Sequence, residues 1–334
     1  MPASEFDLIA AINERLPAPG PRVRVPSGDD AAVVEPRAAS AISVDAIVDG
    51  VHFRLEDFGA PAVGRKALAA GLSDLAAMGA AQGEAYVVVG APAELPDEDL
   101  LAIAEGLAEV ASRDEVSIPG GDLVRSPVLI VSVTAIGYEP GVARLVTRGG
   151  ANPRDVVALT GELGGAAAAL ALMRDGEPPG ALSEDARDAL LARQLDPVPR
   201  LREGRALAAA GATAMIDVSD GLGADAGHLA DSSGRRLEID LERVPVAPGV
   251  AEVAGGKRAA LELAASGGED YELLVTVPPE SFEGATAAVA QAGSALTEIG
   301  YVAEGRGVSL RLPGGGELEP SGFDQRRGSL SGSG

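Results

Sequence analysis

The chain has 334 residues, the length of two ordinary domains, and its 50 Asp and Glu against 27 Lys and Arg give a formal net charge of −23. That charge argues against a nucleic-acid backbone or an anionic membrane surface as the partner, and the absence of Cys excludes disulfides, thiolate nucleophiles and cysteine-held metal sites. Because the sequence shows neither a signal peptide nor an apolar run that could span a membrane, we expect a cytoplasmic protein.

Hydrophobic periodicity predicts alternating helices and strands along the first half of the chain. In chain order these are a helix over 4–16, a strand over 41–48, a helix over 61–78, a strand over 84–90, a helix over 97–112 and a strand over 126–138. Pro61 falls in the first turn of the second helix and Gly79 follows its end, which is where helices favour these two residues.

The second half continues the pattern. It predicts a strand over 155–161, a helix of small residues after it, helices near 184–195 and 199–210, a strand over 213–219, a helix ending near Gly234, and a strand over 269–278. This alternation indicates a protein of the α/β (α+β) class. Turn residues over 139–154 mark the best boundary, so we predict domains over 1–140 and 141–325 and a flexible tail over 326–334.

Several aspartates occupy positions where solvated charges do not belong, such as the middle of an apolar strand or a helix face of small residues. They are Asp30, Asp45, Asp74, Asp122, Asp217 and Asp220. Ordinary roles remain open for two of them, since Asp30 suits a turn and Asp220 suits a helix N-cap. If these carboxylates converge, each pair repels by about 4 kcal/mol at about 4 Å, so they need cations. Oxygen ligands without Cys favour Mg²⁺ over zinc.

Other polar residues carry weaker signals, and no P-loop or protein-kinase signature is present. His52 follows the Asp45 strand and is either a strand-end histidine or a ligand contact. Arg148 precedes a glycine pair and is either a phosphate contact or a surface residue. Glu269 and Asp270 follow Gly267-Gly268 at the predicted start of a strand, where two acids exceed what a turn requires. His228 lies within a helix and is interpreted as structural.

Eight strings carry a family resemblance because they occur in one order along the chain: GDDAAVV, SVDAIVDGVHF, KALAAGLSDLAAMGA, GGDL, TRGGANPRD, PVPRLREG, MIDVSDGL and SGGEDYEL. Over about residues 5–324 the chain resembles the thiamine-monophosphate kinases, within the aminoimidazole ribonucleotide synthetase-like superfamily. The resemblance implies a two-domain fold in which the N-terminal strands form a β-barrel across a homodimer and the C-terminal domain is an α/β layer. It also implies ATP and thiamine monophosphate as partners, bound between the domains, and direct in-line phosphoryl transfer assisted by several Mg²⁺ ions.

The resemblance also assigns site residues by motif. The metal ligands would be Asp30, Ser43, Val44 through its carbonyl, Asp45, Asp74, Asp122, Asp217 and Asp220. The ATP contacts would be Gly121, Asp122, Arg148 and Ser219, and the substrate contacts would be His52, Glu269 and Phe323. No general base is evident. The chain departs from the family at Val44 and Leu123, where Thr is frequent, and at Arg113, where an aromatic residue is common near the nucleotide.

Two alternative functions remain open from the sequence. One is an ATP-dependent cyclase like aminoimidazole ribonucleotide synthetase, which shares related metal and ATP motifs. The other is a non-catalytic nucleotide-binding protein, although such a protein has no reason to keep a full set of mutually repelling carboxylates.

Overall fold

The computed structural model describes residues 5–26, 31–176 and 181–323, which divide into two compact units. The N-terminal unit contains the described residues up to 75 together with 80–142. The C-terminal unit contains 76–79 and the described residues from 143 onward. Both units combine helices with strands, so the predicted mixed architecture is confirmed.

The N-terminal unit is built on a four-stranded sheet. Its helices are α1 (Glu5–Arg15), α2 (Leu55–Phe58), α3 (Ala60–Ala77, whose last two residues belong to the C-terminal unit) and α4 (Asp97–Arg113). Its strands are β1 (Val23–Val25), β2 (Val33–Val34), β3 (Ala39–Val48), β4 (Ala81–Ala91), β5 (Ser117–Arg125) and β6 (Ile130–Glu139). The main sheet has the order β3-β6-β4-β5, and β1 pairs with β2 separately.

One face of this sheet packs against helices. Side chains of β6 such as Val133 lie where a Cβ on Gly71 of α3 would contact them, at 3.4 Å. Helix α3 also approaches α4 closely, because a Cβ on Gly106 would come within 1.9 Å of the Pro61 carbonyl oxygen. Glycine is therefore required where these two helices meet. The opposite face of the sheet remains exposed within the chain, with Ile42 at 62% and Val44 at 67% exposure.

The C-terminal unit is built on a seven-stranded sheet of order β13-β12-β9-β11-β7-β10-β8. Its strands are β7 (Val156–Thr160), β8 (Ala214–Val218), β9 (Arg236–Asp240), β10 (Glu272–Val277), β11 (Leu296–Ala303), β12 (Gly307–Arg311) and β13 (Glu317–Leu318). Its helices are α5 (Gly165–Asp175), α6 (Glu184–Leu195), α7 (Leu201–Ala209), α8 (Leu222–Ser233), α9 (Val250–Ala254), α10 (Lys257–Ser266) and α11 (Phe282–Ala292). Only β9 and β12 pair in parallel among the described strands of this sheet.

Three predicted boundaries were wrong. The strand predicted over 126–138 begins at Ile130, because residues 126–129 form the turn that connects it to β5. Asp122 falls outside the predicted helices and strands but lies within β5. Glu269 was placed at the start of a strand, whereas β10 begins at Glu272 and Glu269 lies in the turn before it. No helix in the described ranges is both long enough and apolar enough to cross a membrane.

A buried ion pair connects strands and helices of the C-terminal unit. Both carboxylate oxygens of Glu272, in β10, accept from the Arg200 guanidinium at 2.6 and 2.8 Å, and the Thr160 hydroxyl of β7 donates to the same carboxylate at 2.7 Å. Glu272 has no exposed surface. A charge buried this completely is tolerated only because its donors compensate the lost hydration.

Replacing Arg200 by Ala should therefore destabilise the protein by about 3–5 kcal/mol, since the substitution leaves an uncompensated buried carboxylate. The free energy of unfolding in urea measures the effect. Arg174→Ala provides the matched control because it breaks an exposed ion pair with Asp175, and it should leave the unfolding midpoint essentially unchanged. Equal effects of the two substitutions would show that the buried pair has no special role.

Candidate functional site

Three of the predicted metal ligands meet in the N-terminal unit. Ser43 and Asp45 are two residues apart on β3, so both face the side of the sheet on which α3 packs, and Asp74 lies on α3. The Ser43 hydroxyl donates a hydrogen bond to the Asp74 carboxylate. Desolvation, the negative charge of Asp74 and a hydrogen bond to that residue together raise the pKa of Asp45 to about 6.

This oxygen cluster fits a hard divalent cation. Ser43, Asp45 and Asp74 offer a hydroxyl and two carboxylates, with no sulfur or nitrogen atom among their ligand groups. The raised pKa of Asp45 reflects the cost of burying its carboxylate and, after that, of placing it next to the Asp74 carboxylate. A bound Mg²⁺ would remove that cost, so the residues present suit the predicted metal.

Asp122 does not join this cluster within the chain. It pairs with Val88 in β5–β4 register, and Val88 pairs with Ser132, so Asp122 lies three strand spacings, or about 14 Å, from β3. Its cross-strand partner Val88 is exposed, whereas Val87 is buried against the helices. Because paired residues point to the same face of a sheet, Asp122 lies on the face opposite the helices. The side chain of Val44 lies on that exposed face too. Asp30 lies outside the described residues.

A mainly apolar pocket lies beside the predicted nucleotide contacts of the N-terminal unit. Ile12 of α1 and Leu107 of α4 contribute to its apolar wall, and Gly121 and Asp122 of β5 form part of its lining. Arg113 is not among the residues that line the pocket. It forms an ion pair with Asp114 at 3.3 Å instead.

His52 follows the end of β3 and forms two hydrogen bonds with the backbone of Val48, the last residue of that strand. Its ring atom Nδ1 accepts a hydrogen bond from the Val48 amide at 3.1 Å, and its own amide donates to the Val48 carbonyl at 2.9 Å. These bonds support the strand-end interpretation. They also orient the ring, so that the neutral imidazole carries its proton on Nε2.

The C-terminal unit gathers a second group around the turn that follows β8. Asp225, on α8, accepts hydrogen bonds from the amides of Ser219, Asp220 and Gly221 at 3.0–3.1 Å. Its burial, followed by the charges of Asp217 and Asp220, raises its pKa to about 8. The N-cap of α8 is Gly221 and not Asp220, so a capping role does not explain Asp220.

Sequence reasoning missed Asp225. Its signal was a carboxylate within a helix whose neighbours Ala224, Ala226 and Leu229 are small or apolar, the same kind of signal that identified Asp74. In this fold Asp225 holds the backbone of the turn and thereby directs Asp220.

Two other predicted residues converge on the same turn. The amide of Glu269 donates to the Ser219 carbonyl at 2.8 Å, and the amide of Phe323 donates to the Asp220 carbonyl at 2.9 Å. Gly268 packs so closely that a Cβ there would lie 2.3 Å from the Ser219 carbonyl oxygen. Glu269 itself has a φ of 68°, a left-handed conformation that this packing enforces.

Asp270, the neighbour of Glu269, holds the start of α5. Its two carboxylate oxygens accept from the amides of Gly164 at 2.7 Å and Ala166 at 3.1 Å. Desolvation outweighs these two donors and raises the pKa of Asp270 to about 7. Asp270 therefore ties the turn that carries Glu269 to a neighbouring helix.

Arg148 lies apart from this group. Its side chain is exposed, and its backbone carbonyl accepts a hydrogen bond from the Ser233 hydroxyl. The carbonyl of the preceding residue, Thr147, accepts from the amide of Met215 near the beginning of β8, whereas Ser219 follows the end of that strand.

His228 is exposed, although its position within a helix led us to interpret it as structural. One ligand atom each from Asp220, Asp225 and His228 lie within 4.8 Å of one another.

Comparison with known proteins gives consistent results. Residues 28–138 match the N-terminal domain, and residues 152–313 the C-terminal domain, of AIR synthase related protein. The chain is 38% identical to the thiamine-monophosphate kinase of Caulobacter vibrioides over 94% of its own length and 88% of that protein.

Two solved structures are similar over almost the whole chain. The thiamine-monophosphate kinase of Stenotrophomonas maltophilia has a TM-score of 0.83 at 34% identity, covering 93% of this chain and 97% of that one. AaThiL complexed with AMPPCP and TMP has a TM-score of 0.75 at 32% identity, covering 95% and 96%.

The raised pKa of Asp270 predicts a pH dependence of stability. Because the folded state binds this proton more tightly than the unfolded chain does, the stability that Asp270 contributes is present at low pH and is lost as the pH rises from about 4 to about 7. Unfolding free energies should therefore decrease less between about pH 5 and about pH 8 in Asp270→Asn than in the unmodified protein. Asp231→Asn, which changes an exposed carboxylate, should keep the original slope, and identical slopes in all three proteins would contradict the assignment.

Proposed function

The chain belongs to the thiamine-monophosphate kinase family of the AIR synthase related proteins, and from this premise we propose that it transfers the γ-phosphoryl group of ATP to thiamine monophosphate. The products are thiamine diphosphate and ADP. The observation that carries the proposal is the convergence of Ser219, Asp220, Glu269 and Phe323 on one turn, because two separate family motifs supply the first three and a distant C-terminal segment supplies Phe323. The relative with AMPPCP and TMP bound supports the choice of both substrates.

The proposed metal ligands form two groups. Ser43, Asp45 and Asp74 belong to the first, and Asp217 and Asp220 belong to the second. The proposal also keeps three assignments that rest on the family alone, which are Asp30, Asp122 and the Val44 carbonyl. When bound, Mg²⁺ would neutralise the negative charge on the phosphates and favour an in-line approach of the two reacting oxygens.

The chain's own residues mainly bind and orient in this proposal. The acceptor is a phosphate oxygen that is already anionic at neutral pH, so no side chain needs to remove a proton from it. Gly121, Arg148 and Ser219 would contact ATP, and the apolar pocket beside Gly121 is suited to the adenine base. His52, Glu269 and Phe323 would contact the thiamine part of the acceptor.

The direct test measures ADP release from ATP with thiamine monophosphate. Activity should require Mg²⁺ and disappear in excess EDTA, and Asp74→Asn should lower kcat by about 100-fold or more while the protein stays folded. Asp57→Asn, at an exposed position of the same unit, serves as the control. Full activity in EDTA would refute the metal assignment. Cyclisation of formylglycinamidine ribonucleotide without thiamine monophosphate turnover would favour the cyclase instead.

Glu269→Gln tests the acceptor site. Glutamine keeps the size of the side chain but removes the charge that would pair with the substrate's thiazolium or aminopyrimidine. The KM for thiamine monophosphate should rise about 10- to 100-fold, the usual effect of losing one charged hydrogen-bond partner, with the KM for ATP largely unchanged. Glu283→Gln, at an exposed position of α11, should change neither constant. A rise in the KM for ATP alone would assign Glu269 to the nucleotide or metal site.

We further propose a homodimer formed through the exposed face of the N-terminal sheet. Ile42 and Val44 of β3, Val88 of β4 and Val124 of β5 expose 42–67% of their surface on this face. An apolar surface of this kind on a sheet is typical of a protein–protein interface. A second copy of the sheet covering it would give the barrel that the family resemblance implies.

Light scattering at micromolar concentration should therefore give about twice the chain mass of 33.4 kDa. Ile42→Glu places a charge in the proposed interface and should shift the protein towards the monomer. Val142→Glu changes an apolar residue outside the sheet that is even more exposed than Ile42, so the dimer should persist. A fully active monomer would contradict the shared barrel.

A further inference from the structure

A buried amide contacts the proposed substrate residue Glu269. Gln194 lies near the end of α6 and has no exposed surface. Its Nε2 donates a hydrogen bond to Oε2 of Glu269 at 2.7 Å. This bond joins α6 to the turn before β10, two elements that the local sequence does not connect.

The backbone of Glu269 is already fixed, but its side chain needs its own constraint. The left-handed φ and the hydrogen bond to Ser219 determine where the Cα lies. The three side-chain torsions of a glutamate remain adjustable unless the carboxylate is bound. The Gln194 amide supplies such a bond, and it is strong because the acceptor is charged.

The side-chain oxygen of Gln194 argues against a role of this residue in stabilising the fold. Oε1 of Gln194 is buried and has no hydrogen-bond partner. A buried acceptor left without a donor destabilises the folded state, so an apolar side chain would suit this position better if folding were the only requirement. The amide is therefore best explained by what its Nε2 does.

We infer that Gln194 is a positioning residue that holds the carboxylate of Glu269 in the orientation required for the acceptor substrate. The inference rests on the proposed function, because it takes Glu269 as a substrate contact. Gln194 itself does not touch the reacting atoms. Fixing Oε2 sets the plane of the carboxylate and so directs Glu269 towards a cationic or amino-bearing ligand.

Steady-state kinetics with thermal unfolding on the full-length chain tests this role. Gln194→Met keeps an unbranched side chain of similar size but removes the donor, so the KM for thiamine monophosphate should rise about five- to tenfold while the KM for ATP stays unchanged. The unfolding midpoint should stay the same or rise, because the orphaned acceptor is gone. Gln291→Met, at an exposed position of α11, is the matched control and should change nothing.

Two further variants separate positioning from packing. Gln194→Glu places a second carboxylate against Glu269 and should raise the KM for thiamine monophosphate more than Gln194→Met does. In a Glu269→Gln background, Gln194→Met should have little additional effect, because the group through which it acts has lost its charge.

Three outcomes would overturn the inference. The first is an unchanged KM for thiamine monophosphate in Gln194→Met with normal turnover by the unmodified protein. The second is a lowered unfolding midpoint with both KM values raised together, which would indicate a packing role. The third is an unmodified protein that does not turn over thiamine monophosphate at all. Only this last result refutes the proposed function as well, so the two failures are distinguishable.

Discussion

Repulsion among carboxylates is the constraint to which both units of this protein respond. Asp45 and Asp74 lie together in one unit, and Asp217, Asp220 and Asp225 lie together in the other. In each group burial, followed by the neighbouring negative charges, raises the pKa of one carboxyl group. Such an arrangement is costly in the absence of cations and becomes favourable when divalent ions bind. The metal ions that we propose would offset this cost in both groups.

The fold supports these groups by controlling backbone position. In the C-terminal unit, three consecutive amides point to the Asp225 carboxylate, while the carbonyls of Ser219 and Asp220 accept from Glu269 and Phe323. A turn held on both its donor and acceptor sides has little freedom to move. Its side chains are therefore pre-organised for a ligand, which suits a reaction that depends on placement more than on proton transfer.

The sequence predicted what depends on short-range patterns. The helix over Glu184–Leu195 and the core of β3 follow from periodicity, and isolated acids within apolar segments identified Asp45 and Asp74. The sequence did not predict the extent of β5, because Gly120-Gly121 resembles a turn, and the pairing with β4 overrides that local preference. Contacts between distant segments, such as Gln194 with Glu269, leave no local pattern from which they could be found.

Two buried polar clusters in the C-terminal unit differ in whether all of their hydrogen-bonding groups have partners. This difference separates a structural role from a functional one. Around Glu272, both carboxylate oxygens have donors from Arg200, and Thr160 adds another, so the cluster is complete without any ligand. Gln194, by contrast, satisfies its donor and leaves its acceptor buried without a partner. A complete network stabilises the fold, whereas an incomplete one weakens it and persists only if it serves something else. In this protein we attribute the incomplete network to the orientation of the Glu269 carboxylate, which the Nε2 atom of the same amide binds.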